Sequence, residues 1–353
     1  MKQYVNITKN PHRLAGTIKS NSYFCTENTP ESLFFVMSVA ELLSRTDKTL
    51  FSFEVLPPLR GKNMDQLYTT IDRLMKFDPA FIEVTTHRTD FTYREVEPGK
   101  IQRVEERLRP GTAAVAYAIK QRYGVPVVPH LICSGNTRQE TEYELIDFVF
   151  LGMFDLLVLR GDKSKLDDHF IPKDGGLSYA SELCAQVNDF NAGKLLYGDT
   201  HDMLMDRCFT YGVAGYPEKH AEVVSADEDM EVLKRKVDLG ARYIVTQMFF
   251  DNGKYFDYVD RCRAAGIDVP VVPGLKPLGT LNQLTLLPKV FHIEFPRELA
   301  AKLAKCTSND DVKKVGVEWG IRQCSELKAA GVPSLHFYTM NASSSIEAIM
   351  NNL

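Results

Sequence analysis

From residue 49 onward the chain alternates between short, β-rich apolar runs and amphipathic segments with helical spacing. The runs are Thr49–Val55, Phe81–Thr86, Val125–Ile132, Leu156–Leu159, Thr210–Ala214, Tyr243–Phe249, Val269–Pro273 and Ser334–Tyr338. Several are apolar almost throughout, as expected for parallel strands covered on both faces. The spacing predicts helices over 64–76, 111–123, 138–151, 179–191, 227–240, 254–265, 280–288 and 308–330. Within the 227–240 segment, Leu233, Val237 and Ala241 share one face and charges take the other. Helices between parallel strands require right-handed crossovers. Eight such units predict an α/β fold, a (β/α)₈ TIM barrel. A doubly wound sheet is the competing arrangement, but no Gly-x-Gly-x-x-Gly follows the first run. Residues 1–28 are polar and punctuated by Asn-Pro and Thr-Pro, and read as a weakly ordered leader. Thr29 as N-cap and Pro30 at the first helical position open a helix over 30–45. The chain therefore divides into a leader and N-terminal helix, 1–48, and a barrel, 49–353, with residues 192–209 as a loop insertion before the fifth strand.

Composition narrows the class. The 353 residues are 44% hydrophobic and 25% charged, an ordinary soluble balance. A net charge of -4 gives no basic excess for nucleic acid or an anionic membrane. Seven scattered cysteines without a CxxC pair predict reduced thiols, with neither a disulfide framework nor a zinc site. The apolar stretch Leu33 to Leu43 is too short to span a bilayer and lacks the flanks of a signal peptide. A cytoplasmic protein with no membrane partner is expected.

In a barrel, chemistry gathers where strands end. Glu54 stands in an apolar strand before Pro57-Pro58, where burial would raise its pKa and suit a general acid. A structural ion pair would explain it equally. Asp162 lies in Arg160-Gly161-Asp162, where Gly161 permits close ligand approach and Arg160 can hold phosphate. A turn whose aspartate caps the next helix is the plainer account. His130 and His220 fall at strand ends, with no carboxylate or cysteine at ligand spacing along the sequence, so no metal is expected. Gln247 beside Phe249 and Phe250 offers an amide next to aromatic faces that could take a pterin, unless the rings are core. Asp229, Arg235 and Lys236 form either a solvated helix face or a diphosphate site.

The strand ends, read in order, resemble the methylenetetrahydrofolate reductase family. The matching segments are Phe51–Pro58 (FSFEVLPP), 129–131 (PHL), 159–162 (LRGD), 179–183 (YASEL), 216–220 (YPEKH), 233–241 (LKRKVDLGA), 246–251 (TQMFFD), 273–277 (PGLKP) and 336–341 (HFYTMN). The resemblance runs over roughly residues 45–345. It implies a barrel holding FAD without a Rossmann fingerprint. NADH or NADPH would reduce the flavin, which in turn reduces methylenetetrahydrofolate to methyltetrahydrofolate, ping-pong on one flavin face, for methionine synthesis. Glu54 would protonate the folate and Asp162 would tune the flavin and bind folate. Gln247, Gln283 and Phe249 would contact substrate. FAD contacts would come from Thr85, Thr86, His130, Arg160, Gly161, Asp162, Ala180, Tyr216, His220, Asp229, Arg235 and Lys236. The resemblance also implies a homo-oligomer. Leu287, Ala342 and Val232 stand where members often carry Phe, Arg and Asn, and no C-terminal regulatory domain is expected. A pterin-binding barrel that methylates a corrinoid, and a non-catalytic folate or flavin binder, are the alternatives.

Overall fold

A computed structural model describes residues 37–353 apart from 46, 165–166, 205–206, 221 and 341–342. The barrel strands are β1 (Leu50–Val55), β2 (Phe81–Val84), β5 (Val127–Ile132), β6 (Asp155–Leu159), β7 (Thr210–Gly215), β8 (Tyr243–Thr246), the pair β9 (Val271–Val272) and β10 (Gly274–Leu275), and β11 (Ser334–Tyr338). All pair in parallel in the order β10-β11-β1-β2-β5-β6-β7-β8-β9. Because β9 and β10 are two halves of one strand broken at Pro273, that order closes the ring. Pro273 has no N–H to give to a ladder, and Gly274 instead donates to Thr246 Oγ1 at 3.0 Å. The eight predicted strands are thus present, with the sixth and seventh shorter than their apolar runs.

The helices between strands are α2 (Asp65–Met75), α3 (Thr112–Tyr123), α4 (Arg138–Phe150), α5 (Ala180–Asn191), α6 (Ala226–Asp238), α7 (Asn252–Ala264), α8 (Gln283–Phe291) and α10 (Asn309–Ala329). Each lies within a few residues of its predicted span. Three further pieces carried no sequence prediction: a hairpin of β3 (Asp90–Glu97) and β4 (Lys100–Glu106), α9 (Arg297–Leu303) and α11 (Ser343–Met350). The hairpin exposes Tyr93, Val96 and Ile101, so it lacks the one-sided burial that marks a strand in sequence. The 192–209 insertion is a loop tied at its base, where the Asn191 side chain bonds both the N–H and the carbonyl of Phe209 at 2.9 Å.

Strand alternation sorts side chains into two cores. Phe51, Phe53, Val55, Ile82, Val84 and Leu131 face outward into the shell under the helices. Phe81, Val128, Leu157, Tyr243, Val245 and Val272 face inward. Their floor is α1 (Val39–Arg45), whose Val39, Ala40 and Leu43 plug the lower barrel. Of the predicted 30–45 helix, this is the described portion; the leader and the Thr29 cap lie outside the described residues. Buried Asp155 anchors the plug, accepting from Val39 N at 2.9 Å and Thr210 Oγ1 at 2.7 Å. Among the described residues no helix is long and apolar enough to cross a membrane.

Replacing Asp155 by Ala strands two buried donors. The expected loss is about 2–3 kcal/mol of unfolding free energy, read from urea denaturation. A loss within error of zero would mean that the plug is not held by this carboxylate.

Candidate functional site

The barrel interior is not uniformly apolar. On the side formed by β11, β1, β2 and β5, inward positions carry Ser334, His336, Ser52, Glu54, Glu83 and His130. Strand register places Glu54 directly opposite Glu83 and Ser52 opposite His336. Two carboxylates therefore stand side by side on one face, an unfavourable pairing unless a cation intervenes. His130 supplies it: Nε2 lies 3.1 Å from Glu83 Oε2 and 3.8 Å from Glu54 Oε2. On the other flank His336 Nε2 sits 3.5 Å from Glu83 Oε2, and its Nδ1 is 3.0 Å from Ser52 Oγ. Ser52 and Ser334 join their hydroxyls at 3.0 Å.

Electrostatics divides these groups. Burial pushes the Glu54 carboxyl up to about 7, with Glu83 and Asp162 adding to the rise and His130 and Lys276 opposing it. Burial would push Glu83 up as well, but His336 and His130 hold it below the usual carboxylate range. For His130, burial pulls the imidazole down, yet the hydrogen bond to Glu83 and both carboxylates hold it above its ordinary value. His336 is held low by burial. Burial brings Lys276 down to about 8, against the pull of Glu54. Its Nζ donates to the carbonyls of Tyr338 and Thr339 at 3.2 and 3.4 Å. Glu54, unlike Glu83, keeps 12% of its side chain exposed, so it is the carboxyl of this group that opens on the mouth.

Beside this seam the loops after β6 and β7 and the start of α6 build a second region, in which charges of both signs are paired. Arg160 makes a two-pronged pair with Glu222, at 2.5 and 2.7 Å. Tyr216 feels Asp229, Arg160, Asp162 and Glu222, and its ring meets the edge of His220 at 4.7 Å. Asp229 Oδ2 accepts from His220 N at 3.1 Å, and buried Lys236 donates to Ala214 O at 2.8 Å. Gly161, at φ +81, packs where a Cβ would meet Ser134 at 2.8 Å. Arg160, His220 and Lys236 around Tyr216 are a donor set that fits a diphosphate with an attached ring system. The fork in which Arg160 holds the Glu222 carboxylate is the fork that takes a phosphate.

The structure thus brings Glu54, His130 and Asp162 together, and gathers Arg160, Gly161, Tyr216, His220, Asp229 and Lys236 next to them. Thr85 and Thr86 sit at the end of β2, where Thr86 bonds Thr112 Oγ1 at 2.7 Å. Ala180 opens α5. Gln247 is half-buried, its Oε1 accepting from Met248 N at 2.9 Å. Gln283 Oε1 accepts from Gly279 N and Thr280 N at 2.7 and 3.1 Å. Arg235 is exposed and lines an open groove on α6 with Met230, Lys234 and Leu239, turned from Lys236 by the helical rotation. Phe249 is fully buried with its ring stacked on Tyr255 at 5.3 Å, which is the core alternative for that residue. Ala342 lies outside the described residues. No carboxylate stands near His130 along the sequence, but the fold brings two to it. They reach it from neighbouring strands, and Glu54, Glu83 and His130 have ligand atoms within 4.8 Å of one another. Glu83, His336 and Lys276 were missed as site residues. The signal was the polar side chain at inward parity on each strand.

Because the folded-state value of Glu54 lies above the ordinary 4.5, the folded protein holds its proton through to about 7. The stability this carboxyl contributes is complete below 4.5 and lost as pH rises through 7. Glu54→Gln should therefore match wild type at pH 4.5 and exceed it at pH 8 by on the order of 2–3 kcal/mol. Chemical denaturation at the two pH values checks this; equal differences at both would contradict it.

A model of the family described as methylenetetrahydrofolate reductase matches residues 39–353. A relative from Arabidopsis thaliana named "Methylenetetrahydrofolate reductase (NADH) 1" is 29% identical over 328 residues, covering 90% of this chain and 50% of its own length. The chain thus spans about half the length of the plant relatives it matches. A "5,10-methylenetetrahydrofolate reductase" from Pectobacterium carotovorum is 30% identical over 319 residues, covering 90% of this chain and 93% of the relative. One from Salmonella typhimurium is 30% identical over 305 residues, covering 86% and 90%. Among solved structures, a Clostridium thermocellum protein described as binding two copies of 5-methyl-5,6,7,8-tetrahydrofolic acid aligns with TM-score 0.52 at 13% identity, over 88% of this chain and 96% of that one. At that identity the likeness speaks to the fold alone.

Proposed function

The chain belongs to the methylenetetrahydrofolate reductase family, and from that premise we propose that it reduces methylenetetrahydrofolate to methyltetrahydrofolate with FAD and a nicotinamide reductant. The observation that carries this reading is Glu54, a carboxyl at the barrel mouth that burial raises to about 7. Opening the folate imidazolidine ring to an iminium requires a proton on the departing nitrogen. A carboxyl still protonated near neutral pH can deliver it.

A bound flavin would supply the hydride chemistry that links the nicotinamide to the one-carbon unit. The protein's own residues do the rest. Arg160 and Lys236 are the cationic groups for the diphosphate, with the His220 imidazole and the Tyr216 hydroxyl in the same region and Thr85 and Thr86 at the end of β2. Asp162 places a negative charge between that region and Glu54, where it raises the Glu54 carboxyl and disfavours further negative charge on a neighbouring ring. Gln247 and Gln283 offer amides to the pterin edge. The plant relatives are named for NADH, which makes NADH the reductant to try first.

Two variants test the assignment by anaerobic stopped-flow spectrophotometry. Glu54→Gln should retain FAD and remain reducible by the nicotinamide, while flavin reoxidation by methylenetetrahydrofolate falls by about 10²-fold or more, the scale of a lost general acid. Normal reoxidation in this variant would remove Glu54 from its role. Asp162→Asn should raise the flavin midpoint potential and slow folate turnover. If neither quantity moves, Asp162 is not beside the flavin.

A further inference from the structure

Glu83 has no role in the reaction proposed above, yet it is a fully buried carboxylate in the barrel interior. One of its oxygens, Oε1, has no hydrogen-bond partner among the described residues; the other faces two imidazoles. A charge so placed is expensive to desolvate and needs a task or a partner. Its register partner on β1 is Glu54. With both carboxylates ionised and nothing between them, the pair would repel across one ladder step. His130 Nε2 occupies that gap. A neutral imidazole would either aim a lone pair at the carboxylates, with its proton on Nδ1, or give Glu83 a donor but no positive charge to Glu54, with its proton on Nε2. An imidazolium gives Glu83 a donor and presents positive charge to Glu54.

We propose that Glu83 is a positioning residue: it keeps His130 as an imidazolium with Nε2–H toward the carboxylates, so that Glu54 gives up its proton beside a fixed positive charge. This rests on the reading of Glu54 as the acid. The other groups that face the trio do not substitute for it. Lys276 lies beside Glu54 but is bound to the carbonyls of Tyr338 and Thr339. Asp162 adds negative charge at Glu54. His336, Tyr243 and Tyr338 face Glu83, and His336 and His87 are held low by burial, so neither is the resident cation. When Glu54 passes its proton to the departing nitrogen, it becomes a carboxylate, and the neighbouring imidazolium stabilises it. No proton leaves His130 in this step. Without Glu83, burial returns His130 to the neutral form. Glu54 then loses the influence of His130, which on this carboxyl exceeds the opposing influence of Glu83. It becomes the weaker acid.

Two measurements decide the matter. In protein labelled with ¹⁵N-histidine, long-range ¹H–¹⁵N spectra report the protonation of each ring, with His130 assigned against His130→Gln. Wild type should show His130 doubly protonated at pH 7.5, Glu83→Gln should show it neutral there, and Glu83→Asp should restore the cation. A neutral His130 in wild type, or a charged one in Glu83→Gln, overturns the proposal. If Glu83→Gln does not fold, the wild-type and Glu83→Asp spectra still decide it. In anaerobic stopped-flow, the alkaline limb of flavin reoxidation by methylenetetrahydrofolate should move up by about one pH unit in Glu83→Gln, and the rate on the acid plateau should fall about threefold. Reduction by the nicotinamide should be unaltered. An unshifted profile counts against Glu83 as a positioning residue. Failure of wild type itself to be reoxidised by methylenetetrahydrofolate refutes the functional reading, while the imidazole spectra still judge Glu83.

Discussion

A closed barrel gives every strand one inward face, and a charged side chain on that face must find its counter-charge inside. Here that constraint falls on adjacent strands at the same level: Glu54 and Glu83 are register partners. Desolvation works on both, yet they end in opposite states. Glu83, fully buried and flanked by two imidazoles, stays below the usual range, and Glu54, slightly exposed, rises to about 7. One backbone alternation thus produces a fixed anion and a protonated acid from the same residue type. The difference comes from what the neighbouring strands bring alongside.

The opposite wall explains how such a seam is tolerated. On β6 to β9 the inward positions are Leu157, Tyr243, Val245 and Val272. These keep the dielectric low around the polar side and leave the carboxylates no route to water except upward. The paired charges of the loops after β6 and β7 lie beside it. Asp162 links the two regions, coupling to both Glu54 and Tyr216. A ligand lying across the mouth would touch the acid and the anchors at once.

The barrel was legible because burial on both faces turns a parallel strand into an apolar run, and all eight such runs are strands. What the pattern lacked was any mark for elements that bury little. The β3–β4 hairpin is exposed on both sides, and α9 is a short helix on the periphery. Pro273 divides the seventh strand, though its run reads as continuous. Within the site, Glu54 stood out because two prolines follow it. Glu83 has no such flag, sitting among Phe81, Ile82 and Val84 and passing as part of an apolar run. His336 was visible only as part of a motif. Its partner Ser52 lies 284 residues away in sequence and becomes a neighbour only when the last strand closes on the first. Phe249, read as an aromatic beside an amide, belongs to the outer shell, because β8 ends at Thr246 and the chain beyond it carries this ring onto Tyr255 of α7.

The short helix at the base of the barrel has an effect beyond holding the floor. Val39, Ala40 and Leu43 fill the lower end with hydrocarbon, so among the described residues the polar seam opens through the upper aperture. Anything seated across that aperture would cut the buried acids and imidazoles off from bulk water. Their stock of protons would then be set at the moment of closure and could not be replenished until the aperture cleared.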